Sequence, residues 1–177
     1  MSTNYRVRTS ILTLALTFGL VATPGGGLQT RQAMDLDELL RPGDVYLHPG
    51  TSEPYSGPVE RRWPGEPTGQ SGGILRERGT SVEGRWDGVH EWYHLSGELA
   101  TRETYCDGQA NGPSETYFKT GQLSATENYA DGHLSGPYES YWHRGRLAER
   151  GEWSEGEPCG IWFSFGRTVS YPPCPDR

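Results

Sequence analysis

The chain has 177 residues, a net charge of −7, and 25 glycines and 13 prolines. This length suits one modest domain, and the glycine and proline content is below the level typical of disordered chains. Asp and Glu outnumber Lys and Arg by 23 to 16 and no basic stripe stands out, so we expect no nucleic-acid partner.

The first 22 residues have the pattern of a secretory signal peptide. Arg6 and Arg8 precede an apolar run over Ile11–Ala22, and Ala22 is a small residue suited to cleavage. The run is shorter than the roughly 20 apolar residues that cross a bilayer, so the pattern does not favour a membrane span. We therefore expect residues 1–22 to be removed and the protein to be exported to the periplasm, the cell envelope or the medium.

Residues 23–43 read as a tether that precedes the folded domain. Within it, Asp35–Leu40 has an acidic N-cap candidate with a glutamate three residues later, and Arg41–Gly43 contains a proline that stops a helix. The segment predicts at most a short helix.

A 24-residue repeat organises residues 44–177, which we expect to form the folded domain. Glycines, aromatic residues and leucines all recur at this step. The clearest series are Gly84, Gly108, Gly132 and Gly156; Gly88, Gly112, Gly136 and Gly160; Tyr93, Tyr117 and Tyr141; and Leu75, Leu99, Leu123 and Leu147.

Each unit has the pattern of a β-hairpin. An extended run over 113–118 leads into a turn at Lys119–Gly121, where glycine can take positive φ, and a second run over 122–129 follows. Leu123 and Tyr129 are six residues apart and should share one face of a strand. Because a lone hairpin is marginal in water, stability must come from stacked neighbours in an all-β fold.

The sequence YADGHLSGPYESYWHRGRL over residues 129–147 resembles the bacterial MORN-variant repeat. Residues 44–46 and 54–57 are similar to the lead-in hairpin of exported members, and the resemblance covers about 45–165. It implies a single-layer, twisted antiparallel sheet of stacked hairpins, no enzyme activity, and a label of antitoxin that many relatives carry. Residues 64–72 depart from the pattern, because they replace a tight turn with an irregular loop.

The segment His90–His94 matches the His-Glu-x-x-His motif of zinc proteases, which requires a helix. Here it falls in the strand phase of the repeat, where residues four apart are roughly 13 Å apart and cannot share one zinc. Glu91, Glu115 and Glu139 recur at one phase and should form a solvated ladder at a spacing of roughly 9.6 Å. We therefore expect no enzyme activity, no catalytic residue, no metal and no cofactor.

Aromatic residues opposite in phase to the tyrosines predict a second, more exposed row: Trp92, Phe118, Trp142 and Trp162. The first hypothesis is that this row binds another protein, making the chain an exported interaction module, with antitoxin-like neutralisation as one form. The alternative is an envelope glycan-binding module that stacks sugars on the same rings. A third possibility is that the rings have no binding role and only pack within the sheet.

A disulfide between Cys159 and Cys174 is expected to close the last hairpin. A two-residue type II′ turn at Gly166–Arg167 would place the two cysteines opposite each other. Pro172–Pro173 interrupts the ladder near them, so a bulge is expected. Export would supply the oxidising compartment, and Cys106 would stay free or pair between chains.

Overall fold

The computed structural model of the chain describes residues 20–22, 28–30, 32–64 and 73–175. Most of the predicted signal peptide, and nearly all of the irregular loop predicted at 64–72, lie outside the described residues. The chain divides into two compact units, residues 1–31 and 32–177. In the first unit, β1 (Leu20–Ala22) pairs antiparallel with β2 (Leu28–Thr30).

The described residues of the second unit form one open sheet of 13 strands, which confirms the predicted all-β stack of hairpins. Strands that follow each other in the chain are neighbours in the sheet, except that the two-residue strands β6 and β11 pair only with β5 and β10, to which β7 and β12 also pair. Only β3 on β4 is parallel among the described pairs. Among the described residues no helix forms, and 36–38 make a turn where a short helix was predicted. The strands are β3 (Met34–Asp35), β4 (Gly57–Arg62), β5 (Leu75–Val82), β6 (Arg85–Trp86), β7 (Gly88–Tyr93), β8 (Leu99–Cys106), β9 (Gln109–Tyr117), β10 (Leu123–Ala130), β11 (His133–Leu134), β12 (Gly136–Tyr141), β13 (Leu147–Ser154), β14 (Glu157–Ser164) and β15 (Arg167–Ser170).

Two kinds of turn alternate along the sheet. At one end of the strands, two-residue turns have positive φ at both positions, which is the type I′ geometry that matches strand twist. At the other end, three-residue turns finish on a glycine with positive φ, as predicted for Lys119–Gly121. The two-residue turns are Glu83–Gly84, Asp107–Gly108, Asp131–Gly132 and Glu155–Gly156, and we call their end the acidic end.

A one-residue bulge recurs in the strand that follows each three-residue turn and in β5. The extra residue comes directly after the repeat leucine, at Arg76, Ala100, Ser124 and Ala148. A bulge of this kind breaks the alternation of side chains along a strand. Leu123 and Tyr129 therefore lie on opposite faces, and the prediction that they share a face is wrong.

The two faces of the sheet carry different chemistry. One face, the charged face, presents arginines and glutamates from successive strands, and the other, the aromatic face, carries most of the tryptophans. Over its N-terminal part the aromatic face is covered by residues 36–55. Leu36, Leu39 and Tyr46 of this segment pack with Val59 of β4 in the buried core. Leu36 and Leu39, which fall in the predicted tether, belong to this core.

The last hairpin carries the predicted disulfide, in a register that differs from the expected one. The turn is Phe165–Gly166 rather than Gly166–Arg167, since both residues have positive φ and form a type I′ turn. After Tyr171 the chain slips, because Gly160 accepts a hydrogen bond from Tyr171 N and donates one to Pro172 O. This slip brings the cysteines together.

The Cys159–Cys174 disulfide is confirmed, with a Cα–Cα distance of 4.9 Å. The bond joins the buried Cys159 of β14 to the chain that follows β15. Cys106 is exposed, and its thiol is free.

Candidate protein-binding surface

The four aromatic residues predicted to form one row divide between two parts of the sheet. Trp92 and Trp162 lie on the aromatic face, where Trp92 stacks on His90 with ring centroids 4.0 Å apart. Only 6% of Trp162 is exposed, and a Cβ on Gly151 would come within 2.0 Å of its ring. The prediction of one exposed row is therefore wrong for Trp162, because its ring packs over Gly151 and against Tyr138 and Trp153.

Phe118 and Trp142 lie one repeat apart at the end of the strands opposite the acidic end. Ring contacts join them to neighbouring residues: Phe118 to His143 at 4.1 Å between centroids, and Trp142 to Phe165 at 5.6 Å. These contacts link three consecutive turns, and we call the four residues the turn row. Because Trp142 is 44% and Phe165 63% exposed, the row is open to solvent.

Positive charge accompanies the turn row. Lys119, Arg144, Arg146 and Arg167 lie in or beside the same three turns, and the Arg146 guanidinium carbon is 6.0 Å from the Trp142 ring centroid. None of these four cations has a carboxylate within 4.0 Å among the described residues. Elsewhere in the sheet arginines do form ion pairs: Arg61, Arg62, Arg78, Arg85, Arg102 and Arg150.

Phe165 is held in an unusual backbone conformation. Its φ is 48°, in the left-handed region that bulky residues rarely adopt. The first positions of the other two-residue turns are all acidic, at Glu83, Asp107, Asp131 and Glu155. In the 24-residue repeat Phe165 falls at the position of Tyr93, Tyr117 and Tyr141, so the array keeps an aromatic ring here but displays it from a strained turn. Strained residues of this kind cluster at functional sites.

The His-Glu-x-x-His segment lies on β7 and the turn after it, as predicted. His90 and Glu91 point to opposite faces, and His94 Nε2 lies 3.1 Å from the carbonyl oxygen of Tyr117. The strand geometry predicted for this motif is confirmed, and these three side chains do not converge.

His90 is instead part of a buried polar pair on the aromatic face. It is 2% exposed and lies between Trp86 and Trp92, with both ring centroids 4.0 Å away. Its Nε2 is 3.3 Å from a Glu77 carboxylate oxygen, outside good hydrogen-bond geometry. Burial favours a higher pKa for Glu77, but the contact with His90 and the charge of Arg61 outweigh it and hold the pKa below its usual value.

A glutamate–tyrosine pair that was not predicted recurs every 12 residues. On five successive long strands a tyrosine hydroxyl donates to the glutamate two positions earlier, and the pairs alternate between the two faces. The simple Glu-x-Tyr spacing in the sequence could have revealed it. The pairs are Glu91–Tyr93, Glu103–Tyr105, Glu115–Tyr117, Glu127–Tyr129 and Glu139–Tyr141.

Glu91 shows that the predicted ladder of solvated glutamates is partly buried. Its carboxylate accepts hydrogen bonds from Tyr93, Arg78 and Arg102 and is largely covered. Burial favours a higher pKa, but these three donors outweigh it and lower the pKa of Glu91. Burial, followed by the hydrogen bond to Glu91, raises the pKa of Tyr93 to about 12.

The charged face places opposite charges on successive strands. Cross-strand partners run in order through Glu60, Arg78, Glu91, Arg102, Glu115, Thr126, Glu139 and Arg150. Thr126 stands at the repeat position that arginine takes in Arg78, Arg102 and Arg150. The alternation therefore has one gap, between two glutamates.

Among the described residues no group of three His, Cys, Asp or Glu side chains is arranged to hold a metal ion. No helix of the described residues is long and apolar enough to cross a membrane. A scan against models of protein families finds no match for the chain, and a search of curated proteins finds none. The resemblance to MORN-variant repeats therefore stays a prediction from the residues that carry it.

Proposed function

We propose that the chain is an exported, non-catalytic repeat protein that binds another protein through the turn row. The observation that supports this most strongly is the row itself: two exposed aromatic rings in contact, beside cations that no carboxylate of the described residues contacts. Aromatic and arginine side chains dominate the energetics of protein interfaces. Neutralisation of an exported toxin, which the resemblance to MORN-variant repeats suggests, is one form of this binding.

Export is part of the proposal and has two supports. The first 22 residues have the signal-peptide pattern, and the Cys159–Cys174 bond is of a kind that oxidising compartments retain. The intact mass of the protein purified from an envelope fraction tests this. We expect a species that lacks Arg6 and Arg8, and a mature species that retains both would overturn the export proposal.

Binding is tested by capture from an envelope extract of the source cells. The tagged mature protein should retain a protein partner, and Trp142→Ala and Phe165→Asn should each reduce capture at least ten-fold, because they remove the exposed rings. Val89→Ala, at an exposed site near the acidic end, is the matched control and should capture as well as the original chain.

The Phe165→Asn variant separates binding from folding. Asparagine tolerates positive φ, so this variant should be more stable by about 1 kcal/mol while it binds less. Capture that is unchanged in both ring variants would contradict the proposal. Trp142 beside Arg146 also offers a flat ring with donors, so capture of glycan fragments in place of a protein would favour the alternative function.

A further inference from the structure

The last strand of the sheet has an open side. β15 pairs with β14 only, and all four of its residues are exposed. Trp162 pairs with Val169, and Tyr171 N donates to Gly160 O, so alternate residues of β15 face β14. The backbone N–H and C=O groups of Thr168 and Ser170 consequently point away from the sheet, toward solvent.

This edge carries one charge, Arg167, where open strands usually carry several. Residues 158–175 contain no Asp or Glu, and Arg167 is their one charged side chain, in a chain with a net charge of −7. Apolar side chains beside the edge are exposed as well, with Ile161 at 74% and Val169 at 40%. Natural sheets normally place lysines, other charges or prolines on such strands. Here the first proline is Pro172, after β15 ends.

We propose that β15 pairs with β15 of a second copy of this chain in an antiparallel, two-fold dimer. In one register Thr168 of each copy lies opposite Ser170 of the other, so the outward groups of both residues form hydrogen bonds. The two Val169 side chains then meet on the two-fold axis, and each Arg167 faces the other copy's Tyr171 ring. No like charges are opposed in this arrangement.

Neighbouring registers use fewer of the outward groups. A shift in one direction places Thr168 opposite Pro172, which has no N–H to donate, and a shift in the other places Ser170 opposite the turn residue Gly166. Pairing of a strand with its own copy is the isologous contact that two-fold symmetry requires. Residues 167–171 of two copies therefore pair best in the one register that places Thr168 opposite Ser170.

The dimer should be weak and concentration-dependent. About five residues from each copy bury less than the roughly 1,200 Å² of a standard stable interface. The edge is nevertheless preorganised, because the Cys159–Cys174 disulfide joins β14 to the chain after β15. A covalent trap is the suitable measurement for such a dimer.

Single cysteines placed on the mature chain with Cys106→Ser test the register. Val169→Cys brings two thiols together at a non-hydrogen-bonded pair, where Cα atoms lie about 4.5 Å apart, within the range that a disulfide needs. Ile161→Cys is the control: Ile161 is more exposed but lies one strand inside the edge. Oxidation by dissolved oxygen, followed on non-reducing gels and by peptide mapping, is the readout.

We expect Val169→Cys to form a 169–169 disulfide-linked dimer at least ten-fold faster than Ile161→Cys forms its own. Adding Ser170→Pro, which removes an outward N–H and no bond to β14, should slow the Val169→Cys reaction by a similar factor. Equal rates for Val169→Cys and Ile161→Cys would overturn the proposal. So would a rate for Val169→Cys that Ser170→Pro does not change.

Discussion

At the scale of single residues, Gly151 is the position where the aromatic face tolerates no side chain. The buried Trp162 ring lies across it, and a Cβ would come within 2.0–2.5 Å of three ring atoms. Trp162 is itself held, since its Nε1 donates to the carbonyl oxygens of Glu152 and Cys159. The ring therefore has little room to move away.

Gly151→Ala should consequently destabilise the fold by about 1–3 kcal/mol through overpacking. Urea denaturation followed by tryptophan fluorescence measures this. Gly50→Ala is the control, because the nearest atom to its new Cβ is 3.4 Å away in an exposed loop, and it should change stability by less than about 0.5 kcal/mol. Equal effects of the two substitutions would show that the Trp162 ring is free to move.

Glu91 makes stability depend on acid pH. Its pKa is lowered in the folded state, so its contribution is fully present above the ordinary glutamate pKa of about 4.3 and is lost as the pH falls through the folded value. The pKa of Glu77 is also lowered, so its contribution to stability is lost in acid in the same way. The free energy of unfolding should therefore fall as the pH drops below about 5.

Glu91→Gln should lower the free energy of unfolding at pH 7 by about 1–3 kcal/mol, since it removes the charge that Arg78 and Arg102 contact. It should also make the free energy of unfolding depend less steeply on pH below about 5. Denaturant unfolding between pH 3 and 7 is the measurement. Glu83→Gln, at an exposed turn, is the control for charge loss alone. If the free energy of unfolding of Glu91→Gln falls as steeply below about pH 5 as that of the original chain, Glu91 is not the group that causes the pH dependence.

At the scale of the strands, the gap at Thr126 tests whether the charged face contributes to stability. Thr126 is paired with Glu115 on one side and Glu139 on the other. Thr126→Arg completes the alternation and Thr126→Glu places three carboxylates in a row, so the arginine variant should be the more stable of the two by about 1 kcal/mol.

Urea denaturation in low salt measures this difference, and it should shrink in 1 M NaCl because salt screens exposed charges. Comparing two variants at one site cancels the loss of the threonine, which is itself a good strand former. If Thr126→Arg and Thr126→Glu are equally stable in low salt, the charged face has no net electrostatic role.

The hairpins could be predicted from the sequence because glycines mark the turns at a fixed step, and positive φ at Gly84 or Gly121 is a local property. Which side chains share a face could not be predicted in the same way. One extra residue, such as Ser124, reverses the alternation, and no special residue type marks that position. The same limit applies to the binding surface, where Phe118 and Trp142 were predicted but Phe165 was not.

At the scale of the whole molecule, the disulfide caps one end of a sheet whose units contact only their neighbours. Repeat arrays of this kind fray from their terminal units. The Cys159–Cys174 bond closes a loop with a sequence separation of 15 residues, which is worth on the order of 3 kcal/mol in the chain-entropy model.

Replacing both cysteines by serine should therefore lower the free energy of unfolding by about that amount and speed amide exchange first in β14 and β15. Denaturant unfolding and hydrogen exchange measure the two effects. Cys106→Ser, which removes the exposed free thiol, is the control and should leave both unchanged. Exchange that rises evenly over all strands would contradict a terminal cap.

The claim that the turn row receives another protein is tested most directly by photo-crosslinking in the source cells. Benzoylphenylalanine replaces Phe165 in one variant and Val89, an exposed residue near the acidic end, in the other. We predict that the probe at 165 links the chain to one protein species of defined mass, and that the probe at 89 does not. Equal products at both positions, or a product at 89 alone, would contradict the account.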